Sequence, residues 1–238
     1  MRVRVAYVEE PPFYSTGADG HATGSDIELA EVILRSIGAS TIEFIPTSFG
    51  ELLPGFEAAR WDMNVPIFVT HERALRVAFS IPVWSLVDGL VVRSGNPKEL
   101  TDYASFGPET DAILGVIPGQ VQLESALAAG VPHAQLREFE NQPAAIASLL
   151  AGEIDAFAAT AVGNRSVVET HEGLEAVELA PLHTAPSGAF SFRKDNIELL
   201  GAVNTALRNY LGTGDHRSRV AVYGIGAAEI DGAIRDRT

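Results

Sequence analysis

Short apolar runs alternate with amphipathic stretches along almost the whole chain. Apolar runs bounded by glycine or proline are typical of buried strands, and apolar residues at three- and four-residue spacing are typical of helices. The runs predict strands over 3–8, 41–46, 62–69, 89–92, 113–117 and 154–159, and paired strand segments over 179–192. The helical spacing predicts helices over 25–37, 121–129, 142–152 and 197–211, a broken helical segment over 49–59 and a short helix near the C-terminus.

Strands that alternate with helices indicate an α/β fold, with parallel sheets whose faces are covered by helices. The 238 residues allow one large domain or two small ones. The residues from Ser25 to Glu28 have the spacing of a capping box at the start of the first helix, and Gly38 fits its C-terminal cap.

The charge balance is strongly acidic. The chain has 31 Asp and Glu against 17 Lys and Arg, a formal net charge of −14. This charge repels phosphate backbones and anionic lipid, so we expect neither nucleic acid nor a membrane surface as a partner. An anionic group on a ligand therefore needs a local cation. The chain has no cysteine, which excludes thiol catalysis, thiolate zinc sites and disulfides.

Several common site motifs are absent from the sequence. It has no phosphate-binding loop and no G-x-S-x-G nucleophile elbow, and its six histidines form no closely spaced metal-binding pair. We therefore predict no catalytic residue, no metal site and no cofactor. Asn164, Arg165 and Ser166 match a glycosylation sequon, but so short a pattern is weak by itself. No apolar run approaches the length that spans a membrane, so direct membrane insertion is not expected.

Four stretches form an ordered set. They are Glu10-Pro11-Pro12-Phe13, the segment Gly24 to Leu29, the segment from Asp62 through Arg73 to Pro82, and Gly152 to Ala156. In order and spacing the set resembles the type 2 periplasmic solute-binding proteins of ABC transporters, in the polar amino-acid group called family 3. The resemblance covers nearly the whole chain.

The resemblance implies a two-lobed type II fold, with two α/β domains joined by two crossing hinge strands. Lobe one would comprise 1–91 plus 189–238, and lobe two 92–188. A small ligand would be captured between the lobes by hinge closure, and a membrane permease would read the closed form. The resemblance also implies a monomer in the periplasm. Because 1–5 runs directly into a strand, we expect that a leader peptide is absent from this chain and was removed.

Three residues of the first lobe match binding positions of the resembled family. Arg73 corresponds to the arginine that grips the ligand carboxylate, a task suited to the guanidinium fork; the alternative is a surface ion pair with Glu72. Phe13 matches an aromatic residue that stacks on the ligand, or is a core residue. Glu10 matches an acid that faces a ligand cation, and Glu9 competes for that role.

Other positions depart from the family pattern. Phe68 stands where amino-acid binders carry a Thr or Ser that bonds the carboxylate, and Pro66 has no N–H to donate. In lobe two, Gly119 and Gln120 occupy the turn whose N–H groups would meet the carboxylate. Thr160 stands where an aspartate would hold an α-ammonium, and a threonine cannot balance that charge.

These departures predict a small zwitterion whose positive charge is diffuse or blocked. Aromatic faces attract such a cation, and Trp84 and Phe49 are further candidates for the cleft walls or for the core. The set Glu10, Phe13, Phe68 and Arg73 is similar to that of ectoine- and hydroxyectoine-binding members. Betaine-like or proline-like solutes, opines and polar amino acids stay open as alternatives.

Two other classes of function are weaker. Some proteins of the resembled fold are cyclohexadienyl dehydratases, but no residue here stands out as the general acid that such an enzyme needs, although Glu140 and Glu169 are available. A sensor module detached from a receptor is the other alternative. We therefore predict a binding protein and not an enzyme.

Overall fold

The computed structural model describes residues 1–107, 111–180 and 185–235. The chain divides into two compact units, one made of Met1–Leu86 and Ala185–Thr238 and the other of Val87–Thr184. Each boundary falls a few residues before the one expected from the sequence, because the strand that begins at Asp88 pairs wholly within the second unit and the strand that begins at Ser187 pairs wholly within the first.

The first segment of unit one begins with strands and a long helix. Its strands are β1 (Arg2–Tyr7), β2 (Ser15–Thr16), β3 (Ala22–Thr23), β4 (Thr41–Pro46), β5 (Met63–Phe68), β6 (Ala78–Phe79) and β7 (Trp84–Ser85). Its helices are α1 (Ser25–Ser36), α2 (Pro54–Glu57) and α3 (His71–Arg76), with one turn of 3₁₀ helix at Phe49–Glu51. The predicted break in the 49–59 segment is confirmed, since Pro54 starts a new helix there.

Unit two holds the next elements. Its strands are β8 (Asp88–Arg93), β9 (Leu114–Val116), β10 (Leu136–Glu138), β11 (Ala156–Thr160) and β12 (Leu174–Glu178). Its helices are α4 (Val121–Ala128), α5 (Gln142–Leu150) and α6 (Ala161–Thr170), with 3₁₀ turns at Tyr103–Ser105 and His133–Gln135. The chain then returns to unit one with β13 (Ser187–Phe192), α7 (Ile197–Tyr210), α8 (Gly214–Ala221) and α9 (Ala227–Arg235).

The two larger sheets are mixed, not wholly parallel as the alternation predicted. In unit one the strand order is β4-β1-β5-β13-β6, and β7 also pairs with β13. In unit two the order is β10-β9-β11-β8-β12. The antiparallel members are β13 and β8, which follow the passages of the chain from one unit to the other.

The pairing predicted over 179–192 is wrong. In the described part of the chain, Ser187 and Gly188 belong to strand β13 and not to a turn, and β13 pairs with β5, β6 and β7. Strand β12 lies upstream of that segment and pairs with β8. Residues 181–184, in the middle of the predicted pair, lie outside the described residues.

Each sheet has its own apolar core. All six residues of β5 are buried in the centre of the sheet of unit one. In unit two, the buried side chains of β8, β9 and β11 pack together with Phe106 and Leu100. Burial of both sheet faces is what the continuous apolar runs predicted. Within the described residues, no helix has the length and the apolar character needed to cross a membrane.

Candidate functional site

A tight loop after β1 brings an acid and two aromatic residues together. The main-chain oxygen of Glu10 accepts from the N–H groups of Phe13 and Tyr14 at 3.1 and 3.2 Å. The main-chain N–H of Glu10 donates to the main-chain oxygen of Tyr14 at 2.9 Å. The Tyr14 hydroxyl donates to the Glu10 carboxylate at 3.4 Å. Glu9 turns elsewhere, because its carboxylate accepts from Thr16. Glu10, 8% exposed, is therefore the acid that shares the loop with Phe13.

The N-terminus of α1 rests on this loop. The first N–H groups of the helix, those of Ser25 and Asp26, donate to the carbonyl oxygens of Pro12 and Phe13, both at 3.0 Å. Gly24 makes the approach possible, since its φ is 123° and a Cβ there would lie 2.4 Å from the Phe13 oxygen. These hydrogen bonds join the first turn of α1 to the loop that carries Phe13 and Tyr14.

Asp26 reaches from α1 to Trp84 of strand β7. The indole Nε1–H donates to Asp26 Oδ2 at 3.1 Å, and the Ser25 hydroxyl lies 3.4 Å from Oδ1. Asp26 is 2% exposed, and this burial raises its pKa from 3.8 to about 7. The hydrogen bonds from Trp84 and Ser25 oppose the rise, and the nearby Glu10 carboxylate adds to it.

Trp84 joins Phe13 and Phe68 in a cluster of three buried rings. Its ring centroid lies 6.1 Å from that of Phe13 and 5.1 Å from that of Phe68, with the Phe68 ring edge-on at 83°. The floor under the indole is Gly188 of β13, where a Cβ would lie 2.0 Å from the ring. The sequence predicted Phe13, Phe68 and Trp84 separately, and the structure brings them together.

Arg73 lies beside this ring cluster. Its main-chain N–H is capped by the Thr70 hydroxyl at 3.2 Å, which starts α3, and its guanidinium donates to the Phe68 oxygen at 2.6 Å. The guanidinium carbon also lies 5.3 Å from the centre of the Phe49 ring. Arg73 is only 8% exposed, which argues against a surface ion pair with Glu72.

The ionisable groups around the ring cluster are all buried, namely Glu10, Tyr14, Asp26 and Arg73. Burial raises the pKa of Tyr14 well above its usual range, and the negative charges of Glu10 and Asp26 raise it further, whereas Arg73 lowers it. A guanidinium can bind a carboxylate, and rings next to a carboxylate can bind a cation. This arrangement can therefore hold a small molecule that carries both charges.

The three site residues predicted in unit two have local roles that the structure describes. Gln120 precedes α4, and its main-chain N–H donates to the Ile117 oxygen at 3.1 Å, which closes the predicted turn that contains Gly119. The Thr160 hydroxyl accepts from the N–H of Gly163 at 3.1 Å and so caps α6.

Unit two also holds a carboxylate that the sequence patterns do not indicate. Asp88 lies directly opposite Thr160 in the β8–β11 ladder, and it accepts from the Tyr103 hydroxyl at 3.0 Å and from Gln122 at 2.7 Å. Partial burial raises the pKa of Asp88. No sequence motif marks it, because Tyr103 and Gln122 come from other elements.

The structure contradicts one short motif and explains why another carries no function. The Ser25–Glu28 capping box does not form, because Gly24 is the N-cap and makes no side-chain bond, while Glu28 accepts from Tyr223. Asn164 of the glycosylation sequon is fully buried, so it is closed to modification. Within the described ranges, no group of three or more acidic or histidine side chains could hold a metal ion.

Comparisons with known proteins agree with the two-unit α/β fold. The family model of bacterial extracellular solute-binding proteins, family 3, matches residues 3–221. A probable amino-acid ABC transporter periplasmic-binding protein of Sinorhizobium fredii is 29% identical over 99% of this chain and 81% of its own length.

Two solved structures are similar over nearly the full chain. The structure of EhuB in complex with hydroxyectoine is 26% identical with a TM-score of 0.88, covering 98% of this chain and 91% of that one. An ancestral arginine-binding protein bound to arginine is 26% identical with a TM-score of 0.81, covering 93% of this chain and 97% of that one. The chain belongs to the bacterial extracellular solute-binding proteins of family 3, with their two-lobed type II fold, and is the solute-binding component of an amino-acid type ABC transporter.

Proposed function

We propose that this chain binds a compact zwitterion whose positive charge is delocalised, with ectoine or hydroxyectoine as the best candidates. Ectoine combines a carboxylate with a cyclic amidinium and has no primary ammonium. The observation that carries the proposal is the cluster of three rings, Phe13, Phe68 and Trp84, next to Arg73 and Glu10.

Arg73 is the proposed grip for the carboxylate. Its guanidinium is held from one side by the Phe68 oxygen and faced by the Phe49 ring, so its direction is fixed before a ligand arrives. Burial beside rings strengthens the electrostatic attraction of this guanidinium for a carboxylate. A preorganised guanidinium binds a carboxylate with less loss of side-chain freedom than a flexible one.

The rings and Glu10 are the proposed site for the cation. A diffuse cation loses little hydration when it leaves water, and aromatic faces attract it by up to about 2 kcal/mol each when it is desolvated. Glu10 and Tyr14 lie in the same loop as Phe13 and supply the compensating negative charge and a hydroxyl. Localised ammonium groups prefer several oxygen acceptors in place of ring faces.

The uncharged Thr160 in unit two and two residues of β5 in unit one support a ligand without a primary α-ammonium. Thr160 carries no charge, and its hydroxyl is used as the cap of α6. Pro66 and Phe68 offer no side-chain donor on β5. Gly119 and Gln120 stay proposed contacts for the ligand, which the two units would enclose by hinge closure before docking on a permease.

Arginine and related polar amino acids or opines are the second candidate. The ancestral protein bound to arginine is similar in fold, and a guanidinium is also a delocalised cation that rings bind well. Arginine differs from ectoine in its α-ammonium, for which the candidate site has no acid at position 160.

A thermal-shift panel tests the proposal. Ectoine, hydroxyectoine, glycine betaine, proline, an opine and the standard amino acids would be compared. A ligand at about 100 times its Kd stabilises the protein by about 2.7 kcal/mol, which raises the Tm of a protein of this size by several degrees. We expect the ectoines to give the largest shift. A larger shift with arginine or another amino acid would contradict the proposal.

A further inference from the structure

We propose that Asp26 is a positioning residue that orients the Trp84 indole, and that it thereby sets the selectivity of the ring cluster for delocalised cations. This inference rests on the proposed function of the ring cluster. The observation behind it is the 3.1 Å hydrogen bond from Trp84 Nε1 to Asp26 Oδ2, between residues 58 positions apart in the chain.

Four contacts fix the indole. Gly188 forms the floor, since even a methyl group there would collide with the ring. The edge-on Phe68 ring limits movement on one side, and Phe13 limits it on another. Asp26 binds the single polar atom of the indole, and so it determines the rotation of the ring within that space.

Asp26 also fixes the partner ring. Its main-chain N–H donates to the Phe13 oxygen at 3.0 Å, while its side chain holds Trp84. One residue thus links the loop that carries Phe13 to the strand that carries Trp84. The separation of the two rings, 6.1 Å between centroids, depends on this link.

A carboxyl group that is buried to accept from an indole N–H destabilises the fold through its desolvation. The other tryptophan, Trp61, donates to the main-chain oxygen of Leu52 at 3.1 Å and needs no ionisable partner. Asp26 is instead buried among ionisable groups: the Glu10 charge raises its pKa, and Asp26 in turn raises the pKa of Tyr14, which Arg73 lowers. An acid at a buried position where a neutral acceptor would serve indicates a role in the site.

The link can be measured without any ligand. The chain has two tryptophans, so its NMR spectrum contains two indole N–H signals. Because the Asp26 pKa is about 7, we expect the Trp84 signal to move between about pH 5.5 and 8.5, while the Trp61 signal stays in place. In D26N the Trp84 signal should persist and stop titrating. A Trp84 signal that has the same chemical shift in the natural protein and in D26A, or that still titrates in D26N, would show that Asp26 does not position the indole.

Affinity for hydroxyectoine then tests the positioning role. At about pH 5.5 the Asp26 carboxyl is protonated and neutral. The D26N amide is also neutral and also has an oxygen that can accept from Trp84 Nε1, so at this pH it matches the natural side chain. We expect D26N to bind within about threefold of the natural protein and D26A to bind about tenfold more weakly, with the larger loss for cyclic cations than for amino acids. The control E28Q alters an acid in the same helical turn that contacts Tyr223 and not Trp84.

Two results would overturn the inference: D26A binding as well as the natural protein, or D26N binding as weakly as D26A at that pH. If hydroxyectoine binds none of the proteins, the proposed ligand is wrong, and the NMR result still decides whether Asp26 positions Trp84.

Discussion

Phe68 contacts both the Arg73 guanidinium and the Trp84 ring of the candidate site. Its main-chain oxygen accepts from the Arg73 guanidinium at 2.6 Å, and its ring meets Trp84 edge-on at 5.1 Å. The proposed carboxylate grip and the proposed cation site are therefore fixed relative to each other through one residue. A ligand that satisfies both must be short, with its two charges a few bonds apart.

Replacing Arg73 by alanine should abolish most of the affinity. Loss of a buried charged partner costs about 2–5 kcal/mol, which is a weakening of about thirtyfold or more. The control is R76A on the same helix, because Arg76 makes an exposed ion pair with Glu57. Calorimetric titration with hydroxyectoine should show normal binding by R76A, and equal losses in both variants would contradict the assigned role of Arg73.

Replacing Phe68 by threonine should change selectivity. The substitution removes one ring face and supplies the hydroxyl that amino-acid binders of the resembled family carry there. We expect about a tenfold loss of affinity for ectoines, with a smaller loss or a gain for amino acids. The exposed neighbour Val69 gives the control V69T. An unchanged preference for ectoines in F68T would show that this ring does not select the ligand.

Replacing Gly188 by alanine should push Trp84 out of place. The new methyl group would lie about 2 Å from the indole, so we expect a loss of about 1–3 kcal/mol in the free energy of unfolding and weaker ligand binding. The control G201A lies on the exposed face of α7, where a Cβ meets nothing within 4 Å, and should stabilise the helix by about 0.5–1 kcal/mol. Urea unfolding measures both, and a stable G188A with normal affinity would contradict the tight fit.

The stability of the unliganded protein should fall as the pH rises from about 4 to about 7. Asp26 has a pKa of about 7 in the folded protein against 3.8 ordinarily, so the folded state binds this proton more tightly. The contribution of this proton to the free energy of unfolding is fully present below pH 3.8 and is lost as the pH rises to the folded-state pKa of about 7. The total loss is up to about 4 kcal/mol.

D26N should therefore be more stable than the natural protein above pH 7, as measured by urea unfolding. Asp88, whose pKa is also raised, lies in unit two and contributes equally to both proteins. A D26N protein that is less stable than the natural one at alkaline pH would show that the Asp26 charge does not lower the free energy of unfolding.

Much of the fold could be predicted because its signals are local. Apolar runs and helical spacing predicted β5, β8, β11, α4, α5 and α7 within about two residues at their ends. Strand β12 and the pairing of β13 were not predicted, since pairing depends on residues far apart in the chain. Alternation of polar and apolar residues cannot tell which strand a given strand joins.

The candidate site was predicted in part for the same reason. Glu10, Phe13, Phe68 and Arg73 lie in recognisable local patterns. Asp26 was interpreted as part of a helix cap, because nothing near it in sequence indicates Trp84, 58 positions away. The floor provided by Gly188 and the carboxylate of Asp88 depend on contacts of the same kind, between elements that only the folded chain brings together.

The most direct test compares ectoine with its ring-opened hydrolysis product by calorimetric titration. The two molecules share the carboxylate, but the open form carries a primary ammonium in place of the cyclic amidinium. The account predicts that ectoine binds at least about tenfold more tightly, because the rings favour a delocalised cation. Equal or tighter binding of the open form, or of arginine, would contradict the proposed ligand class.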